Sequence, residues 1–218
     1  MAPAVPGTAF TEEFDTVANA FSRGWTIKNA TEPRGSGIWQ QGGEVNPWFS
    51  AFSNNGSNAG FIGVNTYSTA ADEAIISNWL ISPEVTFQNG DKISFYTRAV
   101  LFYASATDSS DYGNSLELRM SVAGSRVDVG SGATVGVFDM PMLAINSSLL
   151  EAHSNPALFN PNAFPTNWTR FEATVTGVSR PTRGRFAFRY YVPGGGLGAT
   201  APGSGIAIDK VEYSPASR

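Results

Sequence analysis

The chain has no cysteine, a single histidine and few charged residues. Without cysteine there are no disulfides, thiolate nucleophiles, iron–sulfur clusters or cysteine-ligated zinc sites. With one histidine, any Ser-His-Asp arrangement must rest on His153. That residue sits in the polar stretch Glu151-Ala152-His153-Ser154-Asn155, away from any Gly-x-Ser-x-Gly turn, and reads as a surface side chain. Only 15% of residues are charged, the net charge is −4, and the 14 basic residues are scattered. No basic patch is available to hold a phosphate backbone, so nucleic acid is not expected as a partner. No apolar run approaches the ~20 residues that cross a bilayer, so no membrane insertion is expected. A basic start followed by an apolar segment is also missing, so no signal peptide is visible.

What is abundant is turn chemistry: 23 glycines and 13 prolines in 218 residues, with many asparagines, serines and threonines. Low charge with this composition is typical of extracellular β-proteins. A domain of this length buries roughly 70% of its unfolded surface and needs no covalent staples. Strict alternation marks the clearest strands. They are Lys92 to Arg98, Ser115 to Val122 with Leu116, Leu118, Met120 and Val122 inward, Trp168 to Val175, and Gly184 to Val192 with Phe186, Phe188 and Tyr190 on one face. Weaker strand signals run from Phe10 to Phe14, Gly24 to Asn29, Ile38 to Gln41, Ala59 to Asn65 and Ala74 to Ser82. The stretch from Phe138 to Leu150 is ambiguous, with a short helix expected around Ser147 to Ala152, and Ser154 to Asn167 reads as loop. About ten short strands predict two antiparallel sheets packed face to face, an all-β jelly-roll β-sandwich. The expectation is one domain over residues 10–214, with a disordered start at 1–9 and a tail at 215–218.

Within Gly205-Ile206-Ala207-Ile208-Asp209-Lys210-Val211-Glu212-Tyr213, strict alternation puts Asp209 on the face of Val211 and Tyr213. An unpaired buried carboxylate is costly, so Asp209 requires a cation, an arginine, backbone donors or a local bulge.

The ordered series Glu13-Phe14-Asp15, Gly24-Trp25, Trp39, Asn78 to Pro83, Ile93 to Arg98, Leu116 to Ser121, Trp168 to Phe171, Gly184 to Tyr190 and Gly205 to Val211 resembles the bacterial choice-of-anchor J domains. These are related to the cleaved-adhesin domains of gingipain haemagglutinins and more distantly to MAM domains. The resemblance spans about residues 10–214. It implies a jelly roll on a secreted or cell-surface protein, with a structural calcium held by an acidic residue after the first-strand Phe and another in the last strand. Those positions are Asp15 and Asp209, with Glu13 and Asn78 as further members. Calcium takes six to eight hard oxygens, so carbonyls and water would complete the shell. The chain departs from the gingipain pattern at Asn78, where relatives often carry an Asp-Asn pair, and at Lys210, where they carry a second Asp.

A second candidate site lies in Asn46 to Phe52 and the polar run Ser53 to Asn58, where aromatic rings stand beside amides as in a sugar-binding platform. Trp48, Phe49, Asn54 and Asn55 are its expected ligand-binding members, while Trp39 and Phe52 also suit the core. The acidic loop Thr107 to Gly113 reads as a solvated hairpin, and Pro193 to Gly198 lacks the helix and Lys of a phosphate cradle. The resulting expectation is a non-catalytic module that binds surface glycans or extracellular protein. The alternatives are a structural surface or matrix protein, and a glycoside hydrolase with two close acidic side chains.

Overall fold

The computed structural model describes residues 8–43, 49–53 and 57–217. The expected N-terminal segment falls largely outside them. Among the described residues there are fourteen strands and one short α-helix. The first sheet runs β12 (Thr169–Thr174), β7 (Lys92–Ala99), β14 (Gly205–Ser214), β4 (Ile62–Asn65) and β3 (Gln40–Gln41), with β1 (Phe10–Glu12) also paired to β14. The second runs β11 (Met140–Ile145), β10 (Leu116–Ser121), β13 (Thr182–Gly195), β5 (Ala74–Ile81) and β2 (Thr26–Asn29), with β6 (Val85–Phe87) paired to β13. A separate hairpin joins β8 (Phe102–Ser105) to β9 (Asp108–Ser110). Every ladder is antiparallel, as the all-β sandwich expectation requires.

Alternation decides which side chains fill the space between the sheets. Ile93, Phe95, Ile206, Ile208, Val211 and Tyr213 from the first sheet meet Ile76, Leu80, Leu116, Leu118, Met120, Phe186, Phe188 and Tyr190 from the second in one buried cluster. Phe186 packs edge-on against both Trp25 and Phe188, and Phe95 packs edge-on against Phe188, which knits the layers through ring contacts. Trp39 lies fully buried in the same cluster, so it is core and not part of any platform. Val122, expected inward, falls just past the end of β10 and is 41% exposed.

The helix expectation is corrected. No helix forms at 147–152. The chain leaves β11 at Ile145 and then turns tightly, with Asn146 and Leu149 both at φ 53°. The helix is instead α1 (Val17–Ser22), which buries Val17 and Ala20. Six residues are too few to show a 3.6-residue period in sequence.

The outer face of the second sheet is covered as well. Residues 123–139 fold back so that Val129 and Phe138 pack on Trp79, Ile81 and Ala187. Arg189, 2% exposed, ties this cover to the sheet. Its Nε donates to Ser77 Oγ at 2.9 Å, Nη1 to Glu117 at 3.1 Å, and Nη2 to the carbonyls of Gly132 and Thr134 at 2.7 and 3.2 Å. Its guanidinium lies 3.7 Å from the Tyr191 ring centroid.

Candidate functional site

The side chain of Asp209 does not share a face with Val211 and Tyr213. Lys210 adopts φ 47° and the β14–β7 register shifts between Asp209 and Glu212, a bulge that resets the alternation. Val211 and Tyr213 therefore stay in the core, while Asp209 turns to the outer face of the first sheet opposite Tyr96. There it is fully buried by residues 49–53. Oδ2 accepts from the backbone N–H of Phe52 and of Ser53, both at 2.9 Å. Oδ1 accepts from Ser53 Oγ at 2.9 Å and from the N–H of Lys210 at 2.6 Å. Burial pushes the Asp209 carboxyl up to about 6, although the donors from Ser53, Lys210 and Phe52 pull the other way.

The loop pinned by this carboxylate lays aromatic rings on the sheet. Phe52 stacks on Tyr96 with centroids 3.6 Å apart and planes 16° apart, and it stays 40% exposed. Phe49 stacks on Phe61 at 5.1 Å and meets the edge of Trp168 at 5.5 Å. The Arg98 guanidinium lies 4.0 Å from the Phe49 centroid, and burial lowers the Arg98 pKa. Trp168 Nε1, just before strand β12, donates to the Ser50 carbonyl at 2.9 Å, a second tie on the loop. Beside the rings, exposed Arg170 pairs with Glu172 at 2.8 Å, and Glu172 also pairs with Lys92 at 2.7 Å. Of the four platform residues expected from sequence, Phe49 is on this face; Trp48, Asn54 and Asn55 lie outside the described residues.

The four expected calcium ligands are not brought together. Asp209 faces outward from the first sheet. Asn78 lies on β5 of the second sheet, on the same face as Ile76 and Leu80, which point between the layers. Its Nδ2 donates to the Gly37 carbonyl at 3.0 Å and to Ser68 Oγ at 2.9 Å. Its buried Oδ1 has no partner among the described residues. Glycine is needed at residue 37, because a Cβ there would come within 2.4 Å of the Tyr67 carbonyl carbon. Glu13 approaches Asp209 only through its carbonyl, which accepts from Ser53 Oγ at 3.4 Å. Asp15 is exposed, in a groove it shares with Glu13, Arg23 and Lys210. Four N–H and O–H donors already fill the Asp209 oxygens, and three of them are N–H groups with no lone pair to offer a cation. The residues described therefore do not fit a calcium shell. Among them no group of three or more His, Asp or Glu is placed to hold a metal.

His153 contacts Asp108 through Nδ1 at 2.6 Å and faces Glu151 through Nε2 at 3.7 Å. The nearby hydroxyls do not bond to it: Ser110 donates to Glu151 and Ser154 to Asp108. Among the described residues, no serine hydroxyl is hydrogen-bonded to this histidine as a nucleophile would be.

Two facing antiparallel sheets whose outer surfaces carry loops define the class of β-sandwich modules. Among solved structures the chain is similar to the K1 cleaved adhesin domain of Lys-gingipain from Porphyromonas gingivalis W83. The two are 17% identical over 97% of this chain and 100% of that one, with a TM-score of 0.57. It is also similar to the K3 cleaved adhesin domain of the same protein, at 16% identity over 94% and 97% of the two chains and a TM-score of 0.51. At these identities the likeness establishes the fold. No protein-family model matches the chain, and no curated protein matches it in sequence. No helix among the described residues is long and apolar enough to cross a membrane.

Proposed function

We propose that the protein is a non-catalytic adhesion module of choice-of-anchor J type, secreted or cell-surface, that binds glycans on the outer face of its first sheet. The observation that carries this reading is Phe52, held flat on Tyr96 by a loop that a buried carboxylate pins, yet 40% exposed. A fixed, accessible ring is what the apolar face of a sugar stacks on, and pre-setting it avoids the entropy cost of ordering it on binding. The Arg170–Glu172 ion pair beside it places polar groups at the edge of the ring. The cleaved-adhesin likeness supports the reading at the level of fold. A hydrolase would need two free carboxylates across a cleft. The acids on this face are engaged: Asp209 by Phe52, Ser53 and Lys210, Glu172 by Lys92 and Arg170, and Glu212 by Ser94.

Phe52→Ala is the direct test. It should weaken binding to a ligand found on a glycan array by at least about tenfold, near 1.4 kcal/mol, without moving the melting temperature by more than a few degrees. Unchanged affinity in that variant would end this reading.

Calcium is tested separately. A cation bound only by the folded chain at ~100 times its Kd adds about 2.7 kcal/mol, several degrees for a domain of this size. Because the Asp209 oxygens are filled by donors, melting in excess calcium and in excess EDTA is expected to coincide to within about a degree. A clear rise in calcium would mean that the carboxylate exchanges those donors for a metal.

A further inference from the structure

A second concavity lies on a different part of the molecule, where edge strand β12 of the first sheet comes beside edge strand β11 of the second. The segment after His153, read from sequence only as loop, closes over this gap and leaves a cleft of about 500 Å³. Small-molecule sites fall in this size range. Its apolar lining includes Phe164, which is buried, and Phe171, which stacks on Phe95. Phe159 also lines it and is 71% exposed, among the most exposed of the large hydrophobic side chains.

Apart from His153, the polar groups of the lining are neutral. Asn162 and Asn167 are exposed, and their side-chain amides have no hydrogen-bond partner among the described residues. Among those residues, the lining contains no aspartate, glutamate, lysine or arginine. Its one titratable side chain, His153, is already engaged by Asp108.

The cleft wall is set before any ligand arrives. Asp108 on β9 accepts from His153 Nδ1 at 2.6 Å, from the N–H of Asn155 at 2.9 Å and from Ser154 Oγ at 3.2 Å. The N–H of Ser109 donates to Ser154 Oγ at 2.7 Å, so the β8–β9 hairpin and the start of the covering segment are clasped together.

We infer that this cleft is a binding site for a neutral pyranose sugar, distinct from the Phe52 face and independent of it. The only side chain of the lining that could meet a charged ligand is His153, and Asp108 already engages it. A purely apolar ligand would bury unpaired amides at a cost. A sugar ring meets both demands, since its C–H face stacks on Phe159 while its hydroxyls exchange hydrogen bonds with the asparagine amides. A peptide adding to the β12 edge would instead draw on backbone groups of the strand, which are not the polar groups that line the cleft.

The test titrates the whole chain with neutral gluco-, galacto-, manno- and xylo-oligosaccharides, with sialylated and sulfated glycans and a proline-rich peptide alongside. Backbone-amide NMR shifts locate each binder. The expected result is that a neutral oligosaccharide shifts amides over 159–171. Phe159→Ala should then weaken it at least tenfold and Asn162→Ala severalfold, while Leu197→Ala on an unrelated exposed turn leaves it unchanged. Both Phe159 and Asn162 are exposed, so an unchanged melting temperature will show that the variants fold. Shifts confined to residues 49–53 and 96 would overturn the cleft and leave the Phe52 reading standing. Binding of the charged glycans or the peptide alone would overturn the neutral-sugar assignment. The absence of any saccharide binding would overturn both sites.

Discussion

Replacing Arg189 by alanine is expected to lower the unfolding free energy by about 3–5 kcal/mol, the cost typical of removing one partner from a buried charge pair. The side chain is 2% exposed and satisfies Ser77, Glu117 and the carbonyls of Gly132 and Thr134 at once. Its loss leaves the Glu117 carboxylate with Arg119 alone, at 3.5 Å, and frees both carbonyls. It also removes the guanidinium that lies over Tyr191 and Trp79. Without that anchor the 123–139 cover should lift, wetting Trp79 and Phe138. Denaturant unfolding gives the magnitude, and Trp fluorescence gives the exposure of the indole. Arg189→Met restores apolar bulk but not the donors, so an intermediate loss is expected. A loss under about 1 kcal/mol for alanine would show that water replaces the arginine without strain.

Asp209→Ala is expected to cost about 2–4 kcal/mol, since it removes a charged acceptor shared by Phe52, Ser53 and Lys210. It should also release residues 49–53 from the sheet and abolish whatever ligand binding depends on Phe52. The same residue carries a pH signature. Its pKa is about 6 when folded, against about 3.9 for an ordinary aspartate. A carboxyl raised on folding contributes stability that is fully present below about pH 4 and is lost as pH rises through about 6. The span is about 3 kcal/mol. The stability of the native chain relative to Asp209→Asn should therefore fall between pH 4 and 7. Taking the difference between the two proteins cancels the other titrating groups. A difference that is flat or rises with pH would mean that the donors outweigh burial and hold the carboxyl at or below its ordinary range.

This carboxylate also shows where sequence reasoning reaches and where it stops. Alternation in Leu116, Leu118 and Met120, and in Phe186, Phe188 and Tyr190, reports burial directly, and all six are core. The same rule misplaces Asp209, because one residue at φ 47° resets the phase of the strand and nothing in the identity of Lys210 announces it. Backbone donors and a local bulge were among the ways the sequence allowed Asp209 to be satisfied. That the donors come from Phe52 and Ser53, more than 150 positions away, is long-range information. Phe159 escapes a sequence reading for another reason. A lone aromatic in a Pro- and Asn-rich segment has no periodicity, and only the fold brings it beside β11 and β12. Its one local signal was a large ring amid residues that otherwise form turns.

The pairing of β1 with β14 has a mechanical consequence. Phe10 lies opposite Tyr213, so the chain enters and leaves the described sandwich at the same end of two antiparallel neighbours. Tension applied to the two ends acts across that ladder, not along it. The bonds then load one after another, as in a zipper, instead of sharing the force as they would in shear. β1 is only three residues long and would peel first, while the long β13–β5 and β14–β7 ladders at the centre of each sheet stay unloaded. A tether built on this module would yield at its rim before either proposed binding face was disturbed.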